Sequence, residues 1–226
     1  MENVLIIYSG GMDSATLLWH YINQGANINA ITFDYGQRHS AEISSANAMI
    51  DYIKKSGIDV RHDVIDIKSI FAHIDSSALT NPTILVPNCH YTEDVAKITV
   101  VPNRNMILMS IATGIAASRG LSKVLYAAHA GDFSIYPDCR PEFLKSLQET
   151  VKLSTLWHPV EIEAPFISMS KADIVRLGLS LNVPFELTRS CYNAGELSCG
   201  TCPTCIERIE AFQMNGAKDP IKYSIH

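Results

Sequence analysis

The sequence lacks any apolar run approaching the roughly 18 residues that cross a bilayer as a helix, so no membrane partner is expected. It lacks the apolar centre and small-residue cleavage site of a secretory leader, and the expected location is cytoplasmic. It also lacks an excess of basic charge: 18 Lys and Arg stand against 23 Asp and Glu, a formal net charge of −5. An obligate nucleic-acid partner needs clustered cations against the phosphate backbone, so none is expected. Neither a Gly-Lys-Ser/Thr phosphate loop nor a dinucleotide-binding glycine fingerprint is present. Internal repeats and low-complexity linkers are absent. That leaves the 226 residues for one core, or one core with a small appendage.

What is there alternates between strand and helix patterns. Residues 3–8, 28–34, 60–67 and 123–128 are short apolar or β-branched runs that suit buried strands. Between the first three lie amphipathic helices. One carries Ala15, Leu18, Trp19 and Ile22 and stops at Gly25. The next carries Ile43, Ala46, Ile50 and Ile53 and stops at Ser56-Gly57. Further helices are read on Ile107, Ile111 and Ile115, from Pro141 to about Ser154, and from a Ser170 cap through Ile174, Leu177 and Leu181. Residues 68–97 carry Pro82 and Pro87 with little periodicity, and read as an irregular lid or interface segment. The pattern predicts an α/β fold: a parallel sheet with helices on both faces, in a domain spanning residues 1–185. Residues 186–226 are expected to form a C-terminal module packed on it.

Ser9-Gly10-Gly11-Met12-Asp13-Ser14 follows Tyr8 at the end of the first strand and opens a helix. Glycines there permit a tight turn and close backbone approach, and successive N–H groups with a helix start favour a pyrophosphate. The hydroxyls of Ser9 and Ser14 can add donors. Asp13 cannot meet phosphate as a bare anion; it needs Mg2+ between them, or it points away and caps the helix. The S-G-G-x-D-S pattern resembles the PP-loop of ATP pyrophosphatases.

Four of the six cysteines, Cys191, Cys199, Cys202 and Cys205, fall within fifteen residues; Cys89 and Cys139 stand apart. Crowding of this kind reads as a metal site. Four thiolates fill a tetrahedral Zn2+ with no open position, so the zinc is expected to be structural. An iron–sulfur cluster or a redox dithiol are the alternatives.

In an open parallel sheet, ligands gather beyond the carboxyl ends of the strands. Three polar blocks fall there: residues 34–39, 102–105 and 131–140. Arg104 and Arg140 can grip a carboxylate or phosphate in bidentate fashion. Asp132 and Asp138 can read the N–H edge of a purine-like base. Lys171, at a helix start, can reach nucleotide phosphates. His129 lies close to a site loop, whereas His62, His73, His90 and His158 lack metal-ligand spacing.

Taken together, S-G-G-M-D-S, D-Y-G-Q-R-H, V-P-N-R-N, Y-P-D-C-R-P-E-F, S-K-A-D-I-V-R-L-G and S-C-Y-N-A-G-E-L-S-C-G-T-C-P-T-C resemble the 7-cyano-7-deazaguanine (preQ0) synthase family, from about residue 3 to 215. Asn103 departs from the glycine usual in that family, and residues 127–132 are a variant block. The resemblance implies a HUP-type (adenine nucleotide alpha hydrolase-like) fold and the substrates 7-carboxy-7-deazaguanine, ammonia and ATP with Mg2+. It further implies a bound zinc, a role in making 7-deazaguanine bases for queuosine, and often a homodimer. Three other readings stand beside it, one of them a preQ0-synthase-like modifier of DNA or protein. A sulfur-transferring PP-loop enzyme would need a reactive thiol, with only Cys89 and Cys139 outside the cysteine cluster. A zinc-ribbon binding module would have no use for the glycine loop.

Overall fold

Alternation along the first strand decides the layering. β1 (Asn3–Ile7) turns Val4 and Ile6 to one face and Leu5 to the other. The structure, a computed structural model, describes residues 2–38, 41–133, 136–193 and 195–224. His39, Ser134, Ile135 and Ala194, which belong to the polar and cysteine blocks above, lie outside the described residues. After β1 come α1 (Met12–Asn23), β2 (Asn27–Asp34), α2 (Ala41–Lys55) and β3 (Val60–Asp66). Then follow α3 (Lys68–Phe71), α4 (Glu93–Thr99), α5 (Arg104–Ser118), β4 (Lys123–Leu125) and α6 (Pro141–Ser154). β5 (Glu161–Glu163), α7 (Lys171–Ser180) and α8 (Pro203–Met214) complete the chain.

The sheet order is β3-β2-β1-β4-β5, and every neighbouring pair is parallel. Residues of α1, α2, α7 and α8 share one core with Val4, Ile6, Ile28 and Ala30. Residues of α5 and α6 share the other with Leu5, Ile31, Phe33, Val124 and Ile162. The expected sheet with helices on both faces is therefore present. The chain runs outward from β1 to β3, then returns to lay β4 on the other side of β1. The loops leaving β1 and β4 consequently diverge, and a crevice opens between them at the carboxyl end of the sheet.

α7 lies close against α1 because of Gly178. A Cβ there would sit 2.3 Å from the Phe185 ring and 2.9 Å from Thr16 Oγ1. Ser170 caps α7 with a reciprocal Asp173 bond, as its position suggests. Asn103, where glycine is usual, adopts φ 56° as the cap residue of α5, a left-handed conformation that asparagine tolerates.

Several elements differ from the sequence reading. Residues 68–97 contain α3 and the start of α4, the latter capped by Thr92. Residues 98–101 close α4 and turn into α5. The stripe that α5 buries is Leu108, Met109, Ala112, Thr113 and Ala116; Ile107, Ile111 and Ile115 lie along its margin. α8 starts at Pro203, with Cys202 as its cap, so Cys205 sits inside the helix.

Candidate active site

The glycine loop is clamped by β2. The Tyr8 N–H donates to the Ile31 carbonyl at 2.8 Å, and Thr32 Oγ1 donates to the Tyr8 carbonyl at 2.6 Å. Gly10 has φ +87°, and a Cβ on it would lie 2.3 Å from the Glu42 carbonyl oxygen. Neither its backbone angle nor the first turn of α2 admits a side chain. The Gly10 carbonyl accepts the Arg189 N–H at 3.0 Å, joining the loop to the C-terminal part of the chain. Gly11 caps α1 with no side-chain bond, so the positive end of the helix is left to face an anion. Ser14 Oγ donates to the Gly11 carbonyl and accepts from the Ser9 N–H, at 3.1 and 3.2 Å. Ser14 thus shapes the loop, while Ser9 is its exposed hydroxyl.

Tyr8, Ser9, Gly11, Asp13 and Ser14 line the cleft; Met12 is a core residue, and Gly10 packs on α2. Asp13 Oδ2 lies 3.6 Å from Lys171 Nζ and 3.8 Å from His129 Nε2. Asp13 Oδ1 is buried with no partner. A buried carboxylate oxygen left unpaired is costly, and a cation bound in the cleft would satisfy it. Lys171 also pairs with Glu207 at 3.2 Å. Burial works against its charge, but Asp13 and Glu207 outweigh burial and hold its pKa above the usual lysine range. His129 Nδ1 accepts the Gly131 N–H at 3.1 Å. The neutral ring therefore carries its proton on Nε2, which faces Asp132 Oδ2 at 3.6 Å as well as Asp13.

At the opposite end lies Arg104, with its guanidinium carbon 5.9 Å from the centre of the Tyr136 ring. Asp132, Tyr136 and Cys139 of the 131–140 block also line the cleft. Asp138 and Arg140 do not. Asp138 Oδ2 accepts the Asn105 N–H at 3.0 Å, in the first turn of α5. Arg140 is exposed and donates from Nε to the Phe133 carbonyl at 2.7 Å. From residues 34–39, Tyr35 and Gln37 line the cleft, whereas Arg38 donates to the Ile84 carbonyl at 2.7 Å.

The sulfurs of Cys191, Cys199, Cys202 and Cys205 all lie within 4.8 Å of one another. Backbone N–H groups of Cys199, Thr201 and Cys202 donate to thiol sulfurs at 3.3–3.4 Å, which favours thiolates. The set can hold a metal ion.

The sequence profile of queuosine biosynthesis protein QueC matches residues 3–216. The chain belongs to the QueC family. It is 52% identical over 221 residues to a protein of Archaeoglobus fulgidus named 7-cyano-7-deazaguanine synthase, covering 98% of this chain and 90% of that one. It is 47% identical over 221 residues to a protein of the same name from Caldicellulosiruptor saccharolyticus, covering 98% and 95%. Among solved structures it resembles a 4-thiouridine synthetase in complex with RNA and bound ATP. That match has a TM-score of 0.56 and 16% identity, over 92% of this chain and 50% of the other. At that identity the likeness shows a shared fold.

Several cleft residues of this QueC-family chain are not evident from its sequence. Tyr91 comes from the segment between α3 and α4, and Arg189, Ser190, Tyr192, Thr204 and Glu207 from the cysteine-bearing part. Thr204 and Glu207 are three apart on α8, which puts both on one face; that spacing was the available signal. Cys139 bears on the sulfur-transfer alternative. It reaches the cleft, but burial, reinforced by Asp132 and Asp138, pushes its thiol pKa well up. Thiols are nucleophilic as thiolates, and this environment disfavours the thiolate of Cys139. Iodoacetamide at pH 7.5, read by peptide mass spectrometry, will label exposed Cys89 at least about tenfold faster than Cys139. Equal labelling would restore a sulfur-transfer role for Cys139.

Proposed function

We propose that this QueC-family chain converts 7-carboxy-7-deazaguanine, ammonia and ATP into 7-cyano-7-deazaguanine for queuosine biosynthesis. Family membership and the shared name of its relatives support the substrates. The observation that carries the reading is one cleft at the sheet's switch point, with the Ser9–Ser14 loop and Asp13 at one end and Arg104 at the other.

A carboxylate repels nucleophiles and has no good leaving group. Attack of its oxygen on the α-phosphorus of ATP expels pyrophosphate and gives an acyl adenylate. Ammonia adds to the acyl carbon, AMP leaves, and one proton goes to solvent, giving the amide. A second ATP activates the amide oxygen in the same way, again expelling pyrophosphate; loss of AMP and of both nitrogen protons leaves the nitrile. Positioning and charge stabilisation do most of this work. Ser9, the loop backbone and Lys171 face the departing pyrophosphate. Asp13 Oδ1 would hold Mg2+, which supplies positive charge beside the phosphates. Arg104 orients the substrate carboxylate. Asp132 and His129 line the wall between these ends, where the reacting carbon would lie.

The cysteine set would hold structural Zn2+. Tetrahedral zinc–thiolate bonds of about 2.3 Å place sulfurs roughly 3.8 Å apart, and Cys199 and Cys205 lie 4.0 Å apart. A multi-iron cluster would spread its thiolates further. We further read the enzyme as cytoplasmic and homodimeric without a nucleic-acid partner. The acidic balance supports the last point, and exposed Leu153 near the end of α6, with Leu156 and Trp157 just beyond it, supports self-association.

Incubation of the purified chain with Mg-ATP, ammonium and the acid, followed by mass spectrometry, tests the reading. The expected result is nitrile with two AMP and two pyrophosphate per turnover. Pyrophosphate exchange on another carboxylate, with the deazaguanine acid untouched, would overturn it.

A further inference from the structure

The mechanism above leaves Arg104 as the sole reader of the substrate carboxylate, yet three phenols converge at its end of the cleft. Tyr91 comes from the segment between α3 and α4. Tyr136 comes from the loop after β4, and Tyr192 directly follows the metal-site residue Cys191. The Tyr192 hydroxyl lies 2.7 Å from that of Tyr91 and 2.9 Å from that of Tyr136; Tyr91 and Tyr136 are 3.4 Å apart. All three side chains line the cleft with Arg104. Burial holds the Tyr91 phenol well above its usual pKa, so it is a neutral donor.

The three hydroxyls form a triangle whose Tyr91–Tyr136 side, at 3.4 Å, is long for an O–H···O bond. Phenylalanine would fill the same space without the desolvation cost of a hydroxyl. Three neutral donors beside a fixed guanidinium are, in contrast, well matched to a carboxylate, whose two oxygens offer about four acceptor sites. Asp138, the acidic neighbour of Arg104, spends Oδ2 on the Asn105 N–H. The fold also takes trouble to bring the phenols together. Arg38 holds the segment carrying Tyr91 at the Ile84 carbonyl, and Thr201 of the cysteine knot holds it at Asn88 Oδ1, 3.1 Å away.

We propose that Tyr91, Tyr136 and Tyr192 form, with Arg104, the subsite that reads the exocyclic carboxylate of the acid substrate and sets the enzyme's preference for acid over its uncharged product. The proposal rests on the functional reading above and deepens it. On binding, the carboxylate takes O–H bonds that otherwise close the triangle. The nitrile, carrying no charge and a single acceptor, gains much less from the same donors.

Calorimetric binding to the full metal-loaded chain tests this with three ligands: 7-carboxy-7-deazaguanine, 7-cyano-7-deazaguanine and Mg-ATP. Tyr91→Phe, Tyr136→Phe and Tyr192→Phe are each expected to weaken the acid about tenfold, as loss of a hydrogen bond to a charged group does. Binding of the nitrile should stay within about twofold, and Mg-ATP should bind as in the wild type. Equal weakening of acid and nitrile would reduce the phenols to a wall of the site and overturn the proposal. Unchanged acid binding in all three variants would overturn it as well. A variant that loses Mg-ATP binding has failed to fold, and the other two then decide. A wild-type chain that binds Mg-ATP but not the acid defeats the functional reading itself; a wild type that binds the acid, with variants that match it, defeats only the tyrosine subsite.

Discussion

Asp13→Asn will lower kcat/KM for nitrile formation about 10³-fold while moving the melting temperature by no more than about 3 °C. The substitution keeps the shape of the side chain and removes its charge. Asp13 Oδ1 is buried without a partner, so the carboxylate contributes little to stability in the unliganded protein. Lys171 keeps its second anionic partner, Glu207, at 3.2 Å. What disappears is the anionic oxygen able to hold a cation against the triphosphate. The loss should therefore be in pyrophosphate release at every Mg2+ concentration, with an apparent Mg2+ requirement raised at least tenfold. Wild-type turnover across a Mg2+ titration would remove Asp13 from the chemistry. A large fall in melting temperature would make it a structural residue instead.

Removing the metal from the cysteine set is the second large perturbation. The cysteines pack with Ala78 and Val86, and partly with Ile84, Tyr192 and Tyr223. That is a thin apolar cluster, too small to hold a loop with Gly195 at φ +146° and Gly200 at φ +76° in place by itself. Structural zinc supplies folding free energy directly. Chelation, or Cys202→Ser, should cost about 4 kcal/mol and lower the melting temperature by roughly 10 °C. Activity should fall with it, because Ser190, Tyr192, Thr204 and Glu207 of this region line the cleft. Metal analysis that finds no bound ion, or a chelated protein that melts unchanged, would sink the structural-metal reading.

Much of this was legible because local chemistry and tertiary role agree. The Ser9–Ser14 loop needs glycine for backbone reasons and sits where a parallel sheet must turn into a helix. Pro141 and Ser170 mark helix starts for reasons of φ and capping alone. β5 escaped notice because three residues, Glu161–Glu163, are too short for a period to show. α4 was hidden by the irregular chain before it, although Thr92 with Glu93 and Asp94 is an ordinary helix opening. In the cleft, residues from one loop separate by direction. Tyr136 and Cys139 turn inward, while Asp138 bonds the start of α5 and Arg140 turns to solvent. A linear string of polar letters carries no such direction. Tyr91 reaches the cleft only through tertiary packing, so nothing beside it in sequence announces its role.

The bond from the Arg189 N–H to the Gly10 carbonyl ties the start of the chain to its last quarter. A polypeptide leaves the ribosome from its N-terminus, and that part folds first. The glycine loop is therefore made early and waits, open on one side, for Arg189, Tyr192 and Glu207 to emerge. A nascent chain cut short before residue 189 would carry the loop and most of the sheet, yet possess only half a cleft. Closure of the cleft thus waits on the cysteine-bearing part of the chain, where Arg189, Tyr192 and Glu207 all lie.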